Sequence, residues 1–239
     1  MDTVKFDKKN VRVIAHRGLS GIEKENTNAA FVAAGNRSYY GIETDIWRTA
    51  DGNFVLFHDR DLNGLAGVDL EAEKSTLKEL REAILYDKDG GKGRFDLRVS
   101  TLEEYISICK RYDKRAVLEL KSDFTVDEIA RIIDTIHGMQ YIDGVTFISF
   151  SYENLMRVRS ILPEADAQFL CWDLNGDTVE RLSRDRIDID IFYKVLTEEG
   201  VKTLKGNGIK INCWTVDNKE IAEQLVSFGV DFITTDILE

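Results

Sequence analysis

Short apolar runs and longer amphipathic stretches take turns along this chain of 239 residues. The first run, Val13-Ile14-Ala15, stops abruptly at His16-Arg17-Gly18, as a buried strand with a polar tip does. A histidine, a fixed cation and a glycine that lets backbone come close to a ligand make an anion-handling tip. Asn28 to Gly35 is rich in helix formers, with Thr27 or Asn28 to cap its start and a glycine at its end. Gly41 to Trp47 alternates apolar and polar positions, which predicts a second strand. The Asp51-Gly52 turn signal leads into Phe54-Val55-Leu56-Phe57, a returning hairpin strand that ends in His58-Asp59.

Residues 60 to 98 break the rhythm. They are polar, glycine-dotted and weakly periodic, and predict an insertion with one short helix near 76 to 84, lying over one end of the fold. The glycines and basic residues at 90 to 94 lack the strand–loop–helix frame of a phosphate-binding loop, so a mobile surface loop is the expected form. From Ser100 the pattern settles into helix then strand. A helix over 101 to 111 starts at a Ser100-to-Glu103 capping match, and another over 125 to 137 is closed by Gly138.

Counting the runs gives strands at 12–16, 41–47, 115–121, 145–150, 167–172, 187–193, 209–216 and 230–235. Alternation with helices predicts parallel pairing, and eight repeats predict a closed (β/α)8 barrel. An open doubly wound sheet is the fallback, weakened because no Gly-x-Gly-x-x-Gly follows the first strand. The expected organisation is one catalytic domain over 1–239, with a hairpin and insertion at 54–98 over the C-terminal face of the barrel. The final helix is truncated, since only Asp236 to Glu239 follow the last strand, and the N-terminal ten residues are expected to cover the gap.

Composition narrows the partners. The net charge of −11 argues against nucleic acid or an anionic membrane surface. No apolar run approaches the roughly 18 to 20 residues that span a bilayer. The N-terminus has no apolar signal-peptide core, and Cys109, Cys171 and Cys213 are far apart without metal-binding spacing. Reduced thiols in a cytoplasmic protein are the expectation. The partner expected is a small-molecule substrate; homo-oligomerisation stays open.

Strand ends on one rim of such a barrel face the active-site mouth. That rim collects His16 and Arg17, then Glu43 and Asp45, His58 from the hairpin, and Glu119 and Lys121. Glu43 and Asp45 are two apart on a strand, so they share a face at roughly 6 to 7 Å spacing. Glu119 and Lys121 repeat the arrangement on the next stave. Either pair alone reads as a solvated strand end. Three carboxylates on adjacent staves, however, suit a hard divalent cation such as Ca²⁺ or Mg²⁺, and without one they would repel. Two histidines beside them suit acid/base work on a phosphoester, with Arg17 and Lys121 offsetting phosphoryl charge. The third histidine, His137, falls at a helix end, where it complements the dipole.

Taken together, His16-Arg17-Gly18, Glu25-Asn26-Thr27, Glu43-Thr44-Asp45, His58-Asp59, Ser100-Thr101-Leu102-Glu103-Glu104, Glu119-Leu120-Lys121, Trp214-Thr215-Val216 and Thr235-Asp236 resemble the glycerophosphodiester phosphodiesterases. The resemblance spans residues 12 to 236. It implies a barrel enzyme that uses a divalent cation to hydrolyse glycerophosphodiesters to glycerol 3-phosphate and an alcohol. By position it makes Glu43, Asp45 and Glu119 metal ligands, His16 and His58 the acid/base pair, and Arg17 and Lys121 phosphate ligands. Glu25 comes near the mouth, and Trp214 lines the glycerol or alcohol pocket. The chain departs from the family pattern at Ser100 and Ile237, where proline is usual, and in 60 to 98, which lacks the usual arginine and threonine run. Two other readings remain: a phospholipase-D-like enzyme on lysolipids, and a non-catalytic phosphodiester-binding barrel. A paired-carboxylate glycosidase would leave Arg17 and Lys121 without a task.

Overall fold

The computed structural model describes residues 2–239. The strands and helices follow the apolar runs closely. In chain order they are β1 (Arg12–Ala15), α1 (Asn28–Gly35), β2 (Gly41–Arg48), β3 (Phe54–Leu56), α2 (Asn63–Ala66), α3 (Leu77–Glu82), β4 (Ser100–Thr101) and α4 (Leu102–Arg111). The second half continues with β5 (Arg115–Leu120), α5 (Val126–Gly138), β6 (Val145–Ser149), α6 (Tyr152–Ile161), β7 (Asp166–Cys171) and α7 (Gly176–Asp185). It ends with β8 (Asp188–Phe192), α8 (Glu198–Gly206), β9 (Ile211–Trp214), α9 (Lys219–Phe228) and β10 (Phe232–Thr235).

Among the described residues, β1, β2 and β5 to β10 form a closed ring of parallel strands, the predicted eight-stave barrel. Closure runs through Arg12↔Phe232 to Ala15↔Thr235 on one side of β1 and Ile14↔Gly41 on the other. The arm β3–β4 hangs antiparallel from β2. It has its own apolar cluster of Val55, Phe57, Leu62, Leu80, Leu97 and Val99, apart from the main core. No described helix is long and apolar enough to cross a membrane.

Alternation along each stave divides its side chains between two environments. Outward residues such as Ile42, Leu118, Ile189 and Ile211 pack under the helices. There Phe31 of α1 meets Tyr105 of α4 edge-on at 5.0 Å, and the Tyr105 hydroxyl donates to Ile42 O at 2.7 Å. Burying one such ring contributes on the order of 1.5–3 kcal/mol. Inward residues Ile14, Val117, Ile148, Leu170 and Phe232 fill the barrel. They form the apolar part of the barrel interior, beside the inward polar groups Gln168, Asn212 and Thr234.

Three local expectations shift. The α4 capping box joins Thr101 and Glu104, one residue later than the Ser100–Glu103 match, because the helix starts at Leu102 and Thr101 is its N-cap. Gly138 is the last residue of α5 rather than its stop, and the left-handed residue beyond it is Gln140, φ 56°. Two further short helical pieces, α2 and a 3-10 turn at Ala72–Lys74, lie in the insertion beside α3. In place of a final helix, Val4 pairs with Leu238, Glu239 N donates to Val4 O at 2.9 Å, and Phe6 enters the core.

Candidate active site

The strand ends of β1, β2 and β5 bring the ionisable residues together. Just past β1, His16 N donates to Thr235 O at 2.8 Å, which holds the tip against β10. Its ring Nδ1 lies 2.6 Å from Asp236 Oδ1, and the Ser20 hydroxyl donates to the same oxygen at 2.8 Å. Arg17 then turns into the left-handed region, φ 53°, so that its backbone N–H donates to Glu43 Oε2 at 2.8 Å. Its guanidinium meets Glu25 Oε1 at 2.9 Å and approaches Asp45 Oδ2 at 3.7 Å.

Gly18 also has positive φ, 77°, and a Cβ there would sit 2.7 Å from Ala30. The space it leaves is therefore filled by α1. This corrects the expectation that Gly18 makes room for a ligand: it makes room for the helix that follows the tip.

Glu43, Asp45 and Glu119 are buried, and each offers an oxygen within 4.8 Å of the others. Asn26 donates to Asp45 Oδ2 at 2.9 Å, while Asp45 Oδ1 has no hydrogen-bond partner, only the Lys121 ammonium facing it at 3.4 Å. Lys121 also pairs with Glu119 Oε1 at 2.9 Å. Two cations thus serve three carboxylates. Burial, then the charges of Asp45 and Glu119, drive the Glu43 carboxyl well above its ordinary range. Burial and Asp45 push Glu119 up to about 7. Asp45 is opposed by burial too, but Lys121, Arg17 and His58 hold it down at about 2. The spacing fits a divalent cation: oxygens about 2.3–2.6 Å from one Ca²⁺ lie within about 5 Å of each other. Three buried carboxylates this close together, one with an oxygen that accepts no hydrogen bond, are a donor set such an ion completes.

His58 follows the hairpin arm, its Nδ1 2.9 Å from Asp59 Oδ1. Burial lowers its pKa, and Arg17 and Lys121 add to this against Asp45. His16, Arg17, Glu43, His58 and Glu119 all line one cavity of about 250 Å³, smaller than the roughly 300 Å³ where drug-sized ligand sites begin. Trp214 lines its other side, with Phe150 and Trp172. Asp45 and Lys121 stand behind the wall, in contact with Glu119 and Arg17. Glu25 opens onto a neighbouring cavity of about 440 Å³ and touches the site only through Arg17.

The basic residues at 88 to 94 are otherwise engaged. Lys88 donates to Ser20 O, Lys92 to Ala66 O, and Arg94 pairs with Glu23 at 2.6 Å and Asp96 at 2.7 Å. The loop is exposed but tied down, and holds no free phosphate cradle.

Sequence reading overlooked Asp236, Asn26 and Asp190. Asp236 and Asn26 stood in recognised motifs without a role. The signal for Asp190 was the alternation in Asp-Ile-Asp-Ile-Phe, which puts an acid on the inner face of an apolar stave.

A model of the glycerophosphoryl diester phosphodiesterase family matches residues 16–239. A glycerophosphodiester phosphodiesterase of Caldanaerobacter subterraneus subsp. tengcongensis is 31% identical over 235 residues, covering 94% of this chain and 93% of that protein. A putative glycerophosphodiester phosphodiesterase of Bacillus subtilis is 30% identical over 240 residues, covering 94% and 93%. Among solved structures, an Oleispira antarctica phosphodiesterase in complex with the product sn-glycerol-3-phosphate superimposes with a TM-score of 0.86 at 28% identity, over 94% of this chain and 92% of that one. A glycerophosphodiester phosphodiesterase of Parabacteroides distasonis gives 0.81 at 29% identity, over 95% and 93%.

Proposed function

The chain belongs to the glycerophosphodiester phosphodiesterase family, and from that premise we propose that it hydrolyses diesters such as glycerophosphocholine or glycerophosphoethanolamine to glycerol 3-phosphate and an alcohol. The observation that carries this reading is the convergence of two histidines and a buried carboxylate cluster on one small cavity. Glu43, Asp45 and Glu119 would hold a divalent cation, Ca²⁺ or Mg²⁺, which when bound polarises the phosphoryl group and offsets its charge.

The chain's own residues divide the remaining work. Arg17 and Lys121 supply fixed positive charge to the phosphoryl oxygens, with Glu25 steadying the guanidinium. His58, whose lowered pKa favours the neutral ring, takes a proton from the attacking water as its oxygen bonds to phosphorus and the ester bond to the alcohol breaks. His16 gives a proton to the departing oxygen from Nε2, because its Nδ1 is engaged by Asp236. The Asp236 carboxylate fixes the orientation of the ring throughout. Trp214 lines the wall against which an organic arm of the diester lies. Three buried cysteines without partners suit a reducing compartment, and the reading places the enzyme in the cytoplasm.

The test is direct. Purified protein with Ca²⁺ or Mg²⁺ is expected to release glycerol 3-phosphate from both diesters, and EDTA and His16→Ala each to abolish release. Release surviving both treatments would refute the reading. A second reading, action on lysolipids, draws on the exposure of Phe150 and Trp172 at the mouth, 40% and 58%. Lysophosphatidylcholine assayed in parallel separates the two.

A further inference from the structure

The cavity wall changes character around the barrel. Staves β1, β2 and β5 bring the ionisable groups, whereas β6 to β9 and the residues just beyond them bring Ile148, Phe150, Leu170, Trp172 and Trp214. Trp214 packs edge-on against Trp172 at 4.6 Å and against Phe150 at 5.7 Å, and its Nε1–H donates to Asp190 O at 3.1 Å. One acid interrupts this apolar side. Asp190 lines the cavity, is 2% exposed, and its Oδ1 has no hydrogen-bond partner.

The neighbouring inward polar groups pair mainly with one another and leave Oδ1 without a bond. Asn212 of β9 donates to Thr234 Oγ1 at 3.0 Å and leans toward Gln168 Oε1 at 3.4 Å, and Thr234 returns a bond to Asn212 Oδ1 at 3.1 Å. A buried carboxyl oxygen without a partner is costly, so a site that keeps one beside a cavity has a use for it there. Burial and the like charge of Glu119 both favour the neutral acid, although the Asn212 amide works against them. A neutral carboxyl both donates and accepts, and matches an alcohol hydroxyl. A phosphate or an ammonium would call for a charge of its own.

We propose that Asp190 is a specificity-determining residue that hydrogen-bonds an alcohol hydroxyl of the bound diester, whose carbon chain lies against Leu170 and Trp214. Aliphatic C–H on an aromatic face with a hydroxyl at a carboxyl is the chemistry of a short polyol arm. That arm is either the glycerol half of the diester or a hydroxyl-bearing departing alcohol. The assignment rests on the phosphodiesterase reading above.

The experiment crosses enzyme and substrate changes. Glycerophosphoglycerol is compared with its propyl ester analogue, which lacks the departing alcohol's free hydroxyls. It is also compared with an analogue whose glycerol half lacks only the terminal hydroxyl. Each is assayed with wild type, Asp190→Asn and Asp190→Leu. Loss of the hydroxyl, or of the carboxyl by Asp190→Leu, is expected to raise KM about tenfold, and both together no more than either alone. Asp190→Asn keeps a donor and an acceptor at the same volume and is expected to lose less, with unchanged melting temperature. Non-additivity in the first series assigns the hydroxyl to the departing alcohol, in the second to the glycerol half. Additive losses in both series, or loss of kcat on every substrate at unchanged KM, overturn the proposal while the phosphodiesterase reading stands. Wild type inert toward every diester overturns both.

Discussion

His16 and Asp236 meet at 2.6 Å across the seam where the first strand of the barrel closes on the last. The carboxylate engages Nδ1 of a ring that lines the cavity, so the two histidines of the site are unequal. His16 has an orienting carboxylate that Ser20 also holds, whereas His58 meets the exposed Asp59.

This inequality has a kinetic signature. A diester with a p-nitrophenol leaving group departs without a proton, so His16→Ala should keep most of its turnover on that substrate. On glycerophosphocholine the same variant should lose about 10²–10⁴-fold. His58→Ala should fail on both. Asp236→Asn should lower kcat on glycerophosphocholine by less than His16→Ala does, with KM unchanged. Because the His58 pKa is lowered and the base acts when neutral, the acid limb of kcat/KM should fall below about 6.5.

Cation binding should be visible without turnover. An ion that binds the folded chain at 100 times its Kd adds about 2.7 kcal/mol of stability. Titrating Ca²⁺ or Mg²⁺ into EDTA-treated protein should therefore raise the melting temperature. Glu43→Gln and Glu119→Gln should each shift that titration to higher metal concentration.

Gly18→Ala should destabilise the fold by roughly 1–3 kcal/mol, from a left-handed backbone and a methyl forced against Ala30. Urea unfolding measures the loss, which should exceed that of an Ala substitution at the exposed Gly93, where a Cβ meets nothing within 4 Å.

Acid sensitivity should trace in part to Glu239. Although burial opposes it, Lys5, Ser38 N and Thr3 hold its carboxyl down at about 2. A depressed acid stabilises the fold fully above its unfolded pKa near 4.5, and that contribution fades as pH falls toward about 2. Unfolding free energies across that window should fall less steeply in Glu239→Gln than in wild type.

Much of this fold can be read along the chain because buried staves must be short and apolar. Charges at their tips then mark the site, as Glu43 and Glu119 do on the cavity wall. What escapes is what closure creates. Asp236 is 220 residues from His16, and only a finished ring brings them into contact. Gly18 looks the same in sequence whether a ligand or a helix fills its space. Asp190 hides because an inward acid and a solvated strand end share one alternation, and only its burial in the finished barrel separates the two.

The division of the cavity wall also divides the polypeptide. The groups proposed for bond breaking come from residues 16 to 121, joined by Asp236, while the apolar wall and the proposed hydroxyl-binding Asp190 come from 148 to 214. On the proposed roles, reactivity and selectivity fall in consecutive blocks of the chain. A chimera that exchanges 145–216 with the same block of a relative should inherit the donor's choice of alcohol and keep the recipient's cation requirement, so that selection can retune one without disturbing the other.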